Sequence, residues 1–306
     1  MIINQIVSGG GTTPTGTKQI TTNGIHDVAA YANADVQVPT TAPAYYIEKT
    51  VDANGKLKNS TSMISFNNVT DLSNYIFYGQ YYGVTFPNNT SIDMSSLTNI
   101  TGTAACQSMF ASCTGITSVD LSALTTVSGT NACNLMFDGC SGITSVDLSS
   151  LTTISGLGAF QSMFSNCRGL TSVDLSSLTT VTGNNSCQLM FNNCSDLTSV
   201  NLNGLNSIRV LATSYAPMFQ GCVKLESVTF GGLTAATFTS ATNQIQYLFN
   251  NITGRDAPNG CTIHFPSNFD PSDPNHTFDA STLTGYPTFG GSSSYIHVAF
   301  DLPATE

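Results

Sequence analysis

The chain has 306 residues, enough for one large domain or two of average size. Charged residues make up only 8% of it, against roughly 25% in ordinary globular domains, so serine, threonine, asparagine and glycine must form most of the surface. Eight basic residues stand against eighteen acidic ones, and the resulting formal charge of −10 argues against nucleic-acid binding because phosphate groups would be repelled.

The first residues have neither the basic segment nor the long apolar core of a secretory signal. No later stretch reaches the ~18 consecutive apolar residues that a membrane span requires. We therefore expect a protein that is made in the cytoplasm without a signal peptide and that does not contact membranes.

Residues 1–44 are predicted to be a small β-rich attachment module with a flexible linker. The linker is SGGGTTPTGT, and the following KQITTNGIHDVAAYANADVQVP alternates apolar and polar residues as short strands do, with Asn23-Gly24 as a turn. The second stretch resembles a short module near the start of tail and other virion proteins of bacteriophages. This resemblance implies attachment to a particle, with the following apolar candidates: Ile2, Ile3, Ile6 and Val7.

An aromatic cluster, NYIFYGQYYGVTF, precedes the regular part of the chain. Its rings could form a platform that stacks on sugars or contacts a protein. They could also cap the regular part by burying themselves against it, which is the interpretation we favour. The residues in question are Tyr75, Tyr78, Tyr81 and Tyr82.

The central part of the chain repeats itself with a constant period. One cysteine recurs at intervals of 27, 27, 27 and 28 residues: Cys113, Cys140, Cys167, Cys194 and Cys222. A fixed period of this length is typical of solenoids, whose stacked units bury an apolar side that one unit alone cannot bury.

Each repeat is predicted to have three sides. In ITSVDL, the alternation directs Val146 inward and both Ser145 and Asp147 outward, and LTTIS forms a second inward-facing side. The third side, ACNLMFDGC, has apolar residues at i, i+3, i+4 and i+7, which predicts one face of a short helix. Those residues are Cys133, Met136, Phe137 and Cys140.

The segments MFASCTGITSVDL and MFDGCSGITSVDL and three further copies resemble BspA-like leucine-rich repeats, which read Phe-x-x-Cys-x-x-Leu-x-x-aliphatic-x-aliphatic. The resemblance covers residues 63–265 and implies an α/β solenoid of 27-residue units. We assign this solenoid to residues 45–250. Residues 251–306 are predicted to be a β-rich cap, since a terminal repeat must present a polar outer face; a separate binding tip is the alternative.

The nine cysteines could indicate disulfides or a metal site. However, Cys133 and Cys140 are seven residues apart, unlike the Cys-x₂-Cys spacing of zinc sites. In the next repeat Phe160 replaces the first cysteine, and a position that accepts either side chain is a packing position. We therefore predict buried, reduced thiols and no metal.

An aspartate recurs at the 27-residue step and is followed by asparagine in the fifth position, which gives a row of ligand-facing candidates: Asp93, Asp120, Asp147, Asp174 and Asn201. Neighbouring coils of a solenoid lie about 4.8 Å apart, so these side chains would line one face. The row is interpreted as a solvated stripe of carboxylates. A row of Ca²⁺ ions and a ligand-binding groove are the alternatives, and no other cofactor is expected.

No nucleophile, zinc-protease or phosphate-binding motif is found, and equal carboxylates repeated along a row do not make one distinctive catalytic site. We therefore predict no enzymatic activity. The two resemblances together imply a bacteriophage virion protein, either a fibre, a capsid decoration or a tail appendage. Its N-terminus would bind capsid or tail proteins and its solenoid a bacterial surface protein or glycan, in a homo-oligomer.

Two other functions stay open. The first is a bacterial BspA-like surface adhesin that binds host matrix or other cells. The second is an intracellular scaffold for protein–protein contacts, which would agree with reduced cysteines but would leave the resemblance of the N-terminal residues unexplained.

Overall fold

The computed structural model describes residues 18–19, 36–37, 63–65, 71–72, 79, 81–83, 90–208, 217–232, 260–267 and 296–303. These residues form short β-strands joined by turns, and no α-helix occurs among them. In this part of the chain there is consequently no helix that could cross a bilayer.

Two parallel sheets form two sides of a solenoid. The long sheet has eleven strands, in this order: β1 (Lys18–Gln19), β2 (Val36–Gln37), β3 (Met63–Ser65), β5 (Thr90–Asp93), β7 (Ile116–Asp120), β9 (Ser145–Asp147), β11 (Ser172–Asp174), β13 (Ser199–Asn201), β15 (Ser227–Thr229), β16 (Cys261–Pro266) and β17 (Ile296–Leu302). The short sheet has six: β4 (Asp71–Leu72), β6 (Asn99–Ile100), β8 (Thr126–Val127), β10 (Thr153–Ile154), β12 (Thr180–Val181) and β14 (Ser207–Ile208).

Each coil lies in register with the next. Ser118 pairs with Ser145 and Asp120 with Asp147, so the repeat in the sequence becomes a repeat in space. In β9, Val146 is buried while Ser145 and Asp147 are exposed. This confirms the predicted alternation, and the described chain is a β-solenoid of about five turns.

The third side of each coil is a ribbon of linked turns (residues 103–113, 130–140, 157–167 and 184–194, called here the turn ribbon) and not the predicted helix. Alternate N–H groups, such as those of Cys133 and Leu135, donate to carbonyls of the next coil, at 2.8 and 2.9 Å. The N–H groups between them donate three residues back in the same coil. Every fourth residue has a positive φ, as at Asn131 (52°), Leu135 (56°) and Gly139 (76°).

The helix prediction was wrong because the spacing of apolar residues selects a buried face but not a hydrogen-bond pattern. An α-helix would use its N–H groups internally, whereas the ribbon directs half of them to the neighbouring coil. The predicted burial is confirmed, since all four residues of that face have no exposed surface: Cys133, Met136, Phe137 and Cys140. The solenoid is therefore built from β-strands and turns throughout its described part.

The core between the three sides consists of columns of identical side chains. The best defined is an aromatic column in which successive ring centroids are 4.9 to 5.9 Å apart and nearly parallel. Burial of one such ring contributes about 1.5–3 kcal/mol to the free energy of folding. The column contains Tyr81, Phe110, Phe137, Phe164, Phe191 and Phe219.

Threonine and glycine join the coils at the corners. The Thr152 hydroxyl donates to the carbonyl oxygen of Thr125 at 3.0 Å, and Thr179 repeats the contact with Thr152 at 3.1 Å. At the corner between the short sheet and the ribbon, a Cβ atom on Gly156 would overlap the carbonyl oxygen of Gly129. The threonine hydroxyl groups and the glycines at these corners thus make contacts between coils.

Both ends of the long sheet use strands from the predicted terminal modules. Strands β1 and β2 fall within residues 1–44 and continue the sheet beyond β3. Strand β17, from the C-terminal segment, is the last strand at the other end of the long sheet. The domain boundaries at residues 44 and 250 stay predictions. The predicted turn at Asn23-Gly24 and the attachment candidates Ile2, Ile3, Ile6 and Val7 lie outside the described residues.

Candidate functional site

The predicted acidic row lies on the outer face of the long sheet. Its members occupy equivalent positions of five neighbouring strands, because each is paired in register with the next: Asp93, Asp120, Asp147, Asp174 and Asn201. A row of serines runs beside it, two residues earlier in each strand: Ser91, Ser118, Ser145, Ser172 and Ser199. With strands about 4.8 Å apart, the two rows form a polar lattice across the sheet.

Between these rows the sheet forms an open groove. Its first part has a volume of about 670 Å³ and is lined by residues of β5, β7, β9 and β11. A second part of about 330 Å³ continues along β11, β13 and β15 and shares Ser172 and Asp174 with the first. The groove therefore crosses successive coils and is long rather than deep.

Each carboxylate of the row also shapes the chain locally. Oδ1 of Asp147 accepts a hydrogen bond from the N–H of Ser149 at 3.0 Å and from its hydroxyl at 2.7 Å. Asp174 accepts the N–H of Ser176 in the same way at 2.9 Å. These are Asx turns, which end the strand and start the corner. One oxygen of each aspartate is thus engaged in its own coil while the side chain lines the groove.

The character of the row changes towards the C-terminal end of the sheet. After Asn201 the equivalent positions are Thr229 in β15 and His264 in β16. His264 Nδ1 lies 2.8 and 3.0 Å from the two carboxylate oxygens of Asp301, which belongs to β17. Sequence reasoning missed this pair, since 35 residues separate Thr229 from His264 and the 27-residue step no longer gives the register.

The calcium interpretation of the row finds no cluster to support it in the described residues. No group of three or more His, Cys, Asp or Glu side chains in that part of the chain converges as a metal site would require. In a single row, neighbouring carboxylates stand side by side at the spacing of the strands instead of surrounding a common point.

The aromatic candidates divide into buried and exposed residues. Tyr81 is buried and its ring stacks on Phe110 with centroids 4.9 Å apart. Burial raises the pKa of the Tyr81 phenol well above its usual range. Tyr82 is 60% exposed and is accessible to a partner. Tyr75 and Tyr78 lie outside the described residues.

Comparison with known proteins identifies the repeats. A family model described as "BspA type Leucine rich repeat region" matches in six copies over residues 56–163 and 107–253, together about two thirds of the chain. No curated protein matches. The resemblance of the N-terminal residues to virion proteins receives no support from these matches.

Several solved structures are similar to the chain. The leucine-rich repeat protein TpLRR of T. pallidum is 19% identical, with 74% of this chain and 88% of that chain covered and a TM-score of 0.36. A leucine-rich repeat protein from Bacteroides ovatus is 18% identical, with 84% and 79% covered and a TM-score of 0.32. A leucine-rich cell surface protein from Faecalibacterium prausnitzii is 16% identical, with 74% and 71% covered and a TM-score of 0.32. Likenesses this distant say nothing of what the chain binds.

Proposed function

The chain belongs to the BspA-type leucine-rich repeat family, and we propose that it is a non-enzymatic bacterial surface adhesin that binds its partner on the outer face of the long sheet. The observation that carries the proposal is the in-register lattice of serine and aspartate along an open groove. A surface that offers the same two side chains in each coil suits a partner that makes the same contact several times.

Repetition favours binding over catalysis. A catalytic centre needs one group whose surroundings differ from those of its neighbours. In the groove, Asp120, Asp147 and Asp174 have the same strand position and the same hydrogen bond to a residue two positions later. Equal sites side by side instead add small contributions and raise avidity for an extended partner.

Charge indicates the chemistry of that partner. The groove contains the four carboxylates of the row, and the chain carries a formal charge of −10. Such a surface attracts cationic groups and speeds their association, most strongly at low ionic strength. We therefore propose a basic protein segment of host matrix or of another cell as the partner.

A pair of double variants tests the face. Ser145→Arg with Ser172→Arg places two cations in the groove, whereas Ser155→Arg with Thr182→Arg places two cations on the short-sheet side of the same coils. All four positions are exposed. Binding of the full chain to immobilised basic matrix proteins should fall about tenfold or more in the groove variant only, since like charges then meet at the interface.

Three results of that experiment would contradict the proposal. Equal loss in both double variants would show that charge acts at long range and not at this face. Unchanged binding in both would remove the groove from the interface. Binding to uncharged glycans, with none to basic proteins, would replace the proposed partner class. Thermal unfolding of both variants shows whether they remain folded.

A virion protein is the second candidate, and it rests on the stretch ITTNGIHDVAAYANADV near the N-terminus. In that case residues 1–44 would attach the chain to capsid or tail proteins, and the exposed solenoid would contact the host. Peptide mass spectrometry of gradient-purified phage particles and of the bacterial envelope distinguishes the two locations. A fixed copy number per particle would favour the virion, and detection only in the envelope would favour the adhesin.

A further inference from the structure

One cysteine of each coil bonds to the coil before it, and these residues are called here the thiol column. In each case the Sγ atom donates to the carbonyl oxygen of the aromatic residue of the preceding coil, at 2.8 to 3.2 Å. The donor–acceptor pairs are Cys113–Tyr81, Cys140–Phe110, Cys167–Phe137, Cys194–Phe164 and Cys222–Phe191.

The accepting carbonyl also closes a turn within its own coil. Phe137 oxygen accepts the N–H of Cys140 at 3.1 Å and the thiol of Cys167 at 3.2 Å. Phe164 oxygen likewise accepts the N–H of Cys167 and the thiol of Cys194, at 3.1 and 3.0 Å. A carbonyl oxygen has two lone pairs, so both are used. Each thiol proton is thus committed to a specific acceptor in the core.

Burial protects these sulfur atoms from reaction. All five side chains of the thiol column have no exposed surface, and all nine cysteines are free. Burial raises the pKa of Cys194 to about 12, and it raises the pKa values of Cys140, Cys167 and Cys222 well above the usual range. Because the thiolate is the reactive form, a raised pKa lowers the fraction of each buried thiol that can react.

We propose that the thiol column is a redox trap: it is inert while the coils are stacked, and it forms mixed disulfides with a disulfide oxidant when coils separate, which only a reductant removes. In an opened coil the cysteine thiolate attacks one sulfur of oxidised glutathione. The glutathione S–S bond breaks, a protein–glutathione S–S bond forms, and one glutathione thiolate leaves and takes up a proton. The adduct cannot return to a site without free space, so the coil stays open.

This inference goes beyond the proposed function and does not depend on it. It assigns a reason for cysteine at a position where valine or alanine would also fill space. The thiol supplies a hydrogen-bond donor between coils. In a coil that has opened, the same thiol reacts with a disulfide and carries the resulting adduct. A solenoid of this kind works in an oxidising medium without disulfides as long as it remains folded.

Intact-mass measurement on the full chain tests the trap. The folded chain is held with oxidised glutathione at mildly alkaline pH, beside the variant Ser145→Cys, which adds one exposed thiol. The nine native cysteines should react at least about 100-fold more slowly than the added one. A chain unfolded in urea should gain adducts and fail to refold after dilution until a reductant is added. Rapid modification of the folded chain, or refolding with adducts in place, would overturn the proposal.

Two cysteines of one coil provide a matched test of the hydrogen bond. Cys187 and Cys194 are both buried, and burial raises the pKa of each to about 12. The two residues differ in hydrogen bonding. The Cys194 thiol donates to the carbonyl oxygen of Phe164, whereas the raised pKa of the Cys187 thiol has burial as its cause, with no hydrogen bond contributing. Cys194→Val should lower the unfolding temperature and speed modification of the remaining thiols more than Cys187→Val. Equal effects would contradict the role of the thiol proton, and the mass measurement on the unsubstituted chain tests the trap even if a variant does not fold.

Discussion

The long sheet and the turn ribbon join neighbouring coils by backbone hydrogen bonds in two different ways. In the sheet, strands of neighbouring coils pair in register, and the side chains alternate between the core and the groove. In the ribbon, only alternate N–H groups reach the next coil, and every fourth residue adopts a positive φ. The strands of the sheet can therefore carry any residue that suits an exposed strand position, whereas every fourth residue of the ribbon must adopt a positive φ. The binding surface that we propose lies on the first side, and the second side supplies much of the core.

The largest effect is expected in the ribbon core. Phe164→Ala removes a ring that stacks on Phe137 at 5.7 Å and on Phe191 at 5.9 Å, and it leaves a cavity in the aromatic column. We expect the free energy of unfolding to fall by about 3–5 kcal/mol, measured by urea denaturation. Leu157→Ala is the control, because Leu157 is 49% exposed and its loss should change stability little. Similar losses for both variants would show that the column is not the core.

The corner that joins the sheets to the ribbon comes next. Gly156→Ala would push a Cβ atom into the backbone of the preceding coil, where the carbonyl oxygen of Ser128 is also only 2.8 Å away. Backbone cannot move aside as a flexible side chain would, so a loss of about 3 kcal/mol is expected. At Gly83 a Cβ atom would meet nothing within 4 Å, and Gly83→Ala should cost only about 1 kcal/mol for its positive φ. Equal losses would refute the close contact at the corner.

A valine scan compares the two sides directly. Asn131 has a φ of 52° in the ribbon, and Ser145 lies exposed in strand β9. Asn131→Val should lower the free energy of unfolding by about 1–2 kcal/mol, because a β-branched residue is strained at positive φ. Ser145→Val should leave the free energy of unfolding unchanged or raise it by about 0.3 kcal/mol, because strands favour β-branched residues. Thermal unfolding of both variants checks this, and the reverse order would contradict the ribbon geometry.

The smallest effect concerns the groove itself. Asp147→Ala removes the oxygen that accepts the N–H and hydroxyl of Ser149, with an expected loss of about 1 kcal/mol. Asp147→Asn retains an acceptor and should unfold at nearly the same urea concentration as the parent chain. If it loses as much stability as the alanine variant, the negative charge and not the turn hydrogen bond stabilises the corner.

The sequence predicts the structure of the long sheet better than that of the turn ribbon, for a physical reason. A period of two residues in ITSVDL identifies both the strand and its buried side, so the positions of Val146 and Asp147 could be predicted. For the ribbon, the apolar spacing gave the burial of Met136 and Phe137 but suited a helix equally well. What excludes the helix is hydrogen bonding between coils, which appears in no single repeat. The positive φ of Leu135 could not be predicted from the sequence either, because leucine rarely adopts this conformation.

The candidate site shows the same division. The row from Asp93 to Asn201 follows from the 27-residue step alone. His264 joins the row only because β16 pairs with β15 after an irregular interval, and Asp301 meets it through β17. The bonds of the thiol column were also out of reach, since burial of a cysteine does not reveal which carbonyl its proton meets.

The constant step has a consequence for the history of the molecule. The hydrogen bonds between Thr125, Thr152 and Thr179 each join one residue to its counterpart 27 positions away. Such contacts depend on the distance between two residues along the chain and not on their residue numbers. Recombination between two repeats of the gene adds or removes a whole coil and leaves all remaining contacts as they were. The length of the groove, and with it the number of contacts to the partner that we propose, can therefore change in single genetic steps while the fold stays the same.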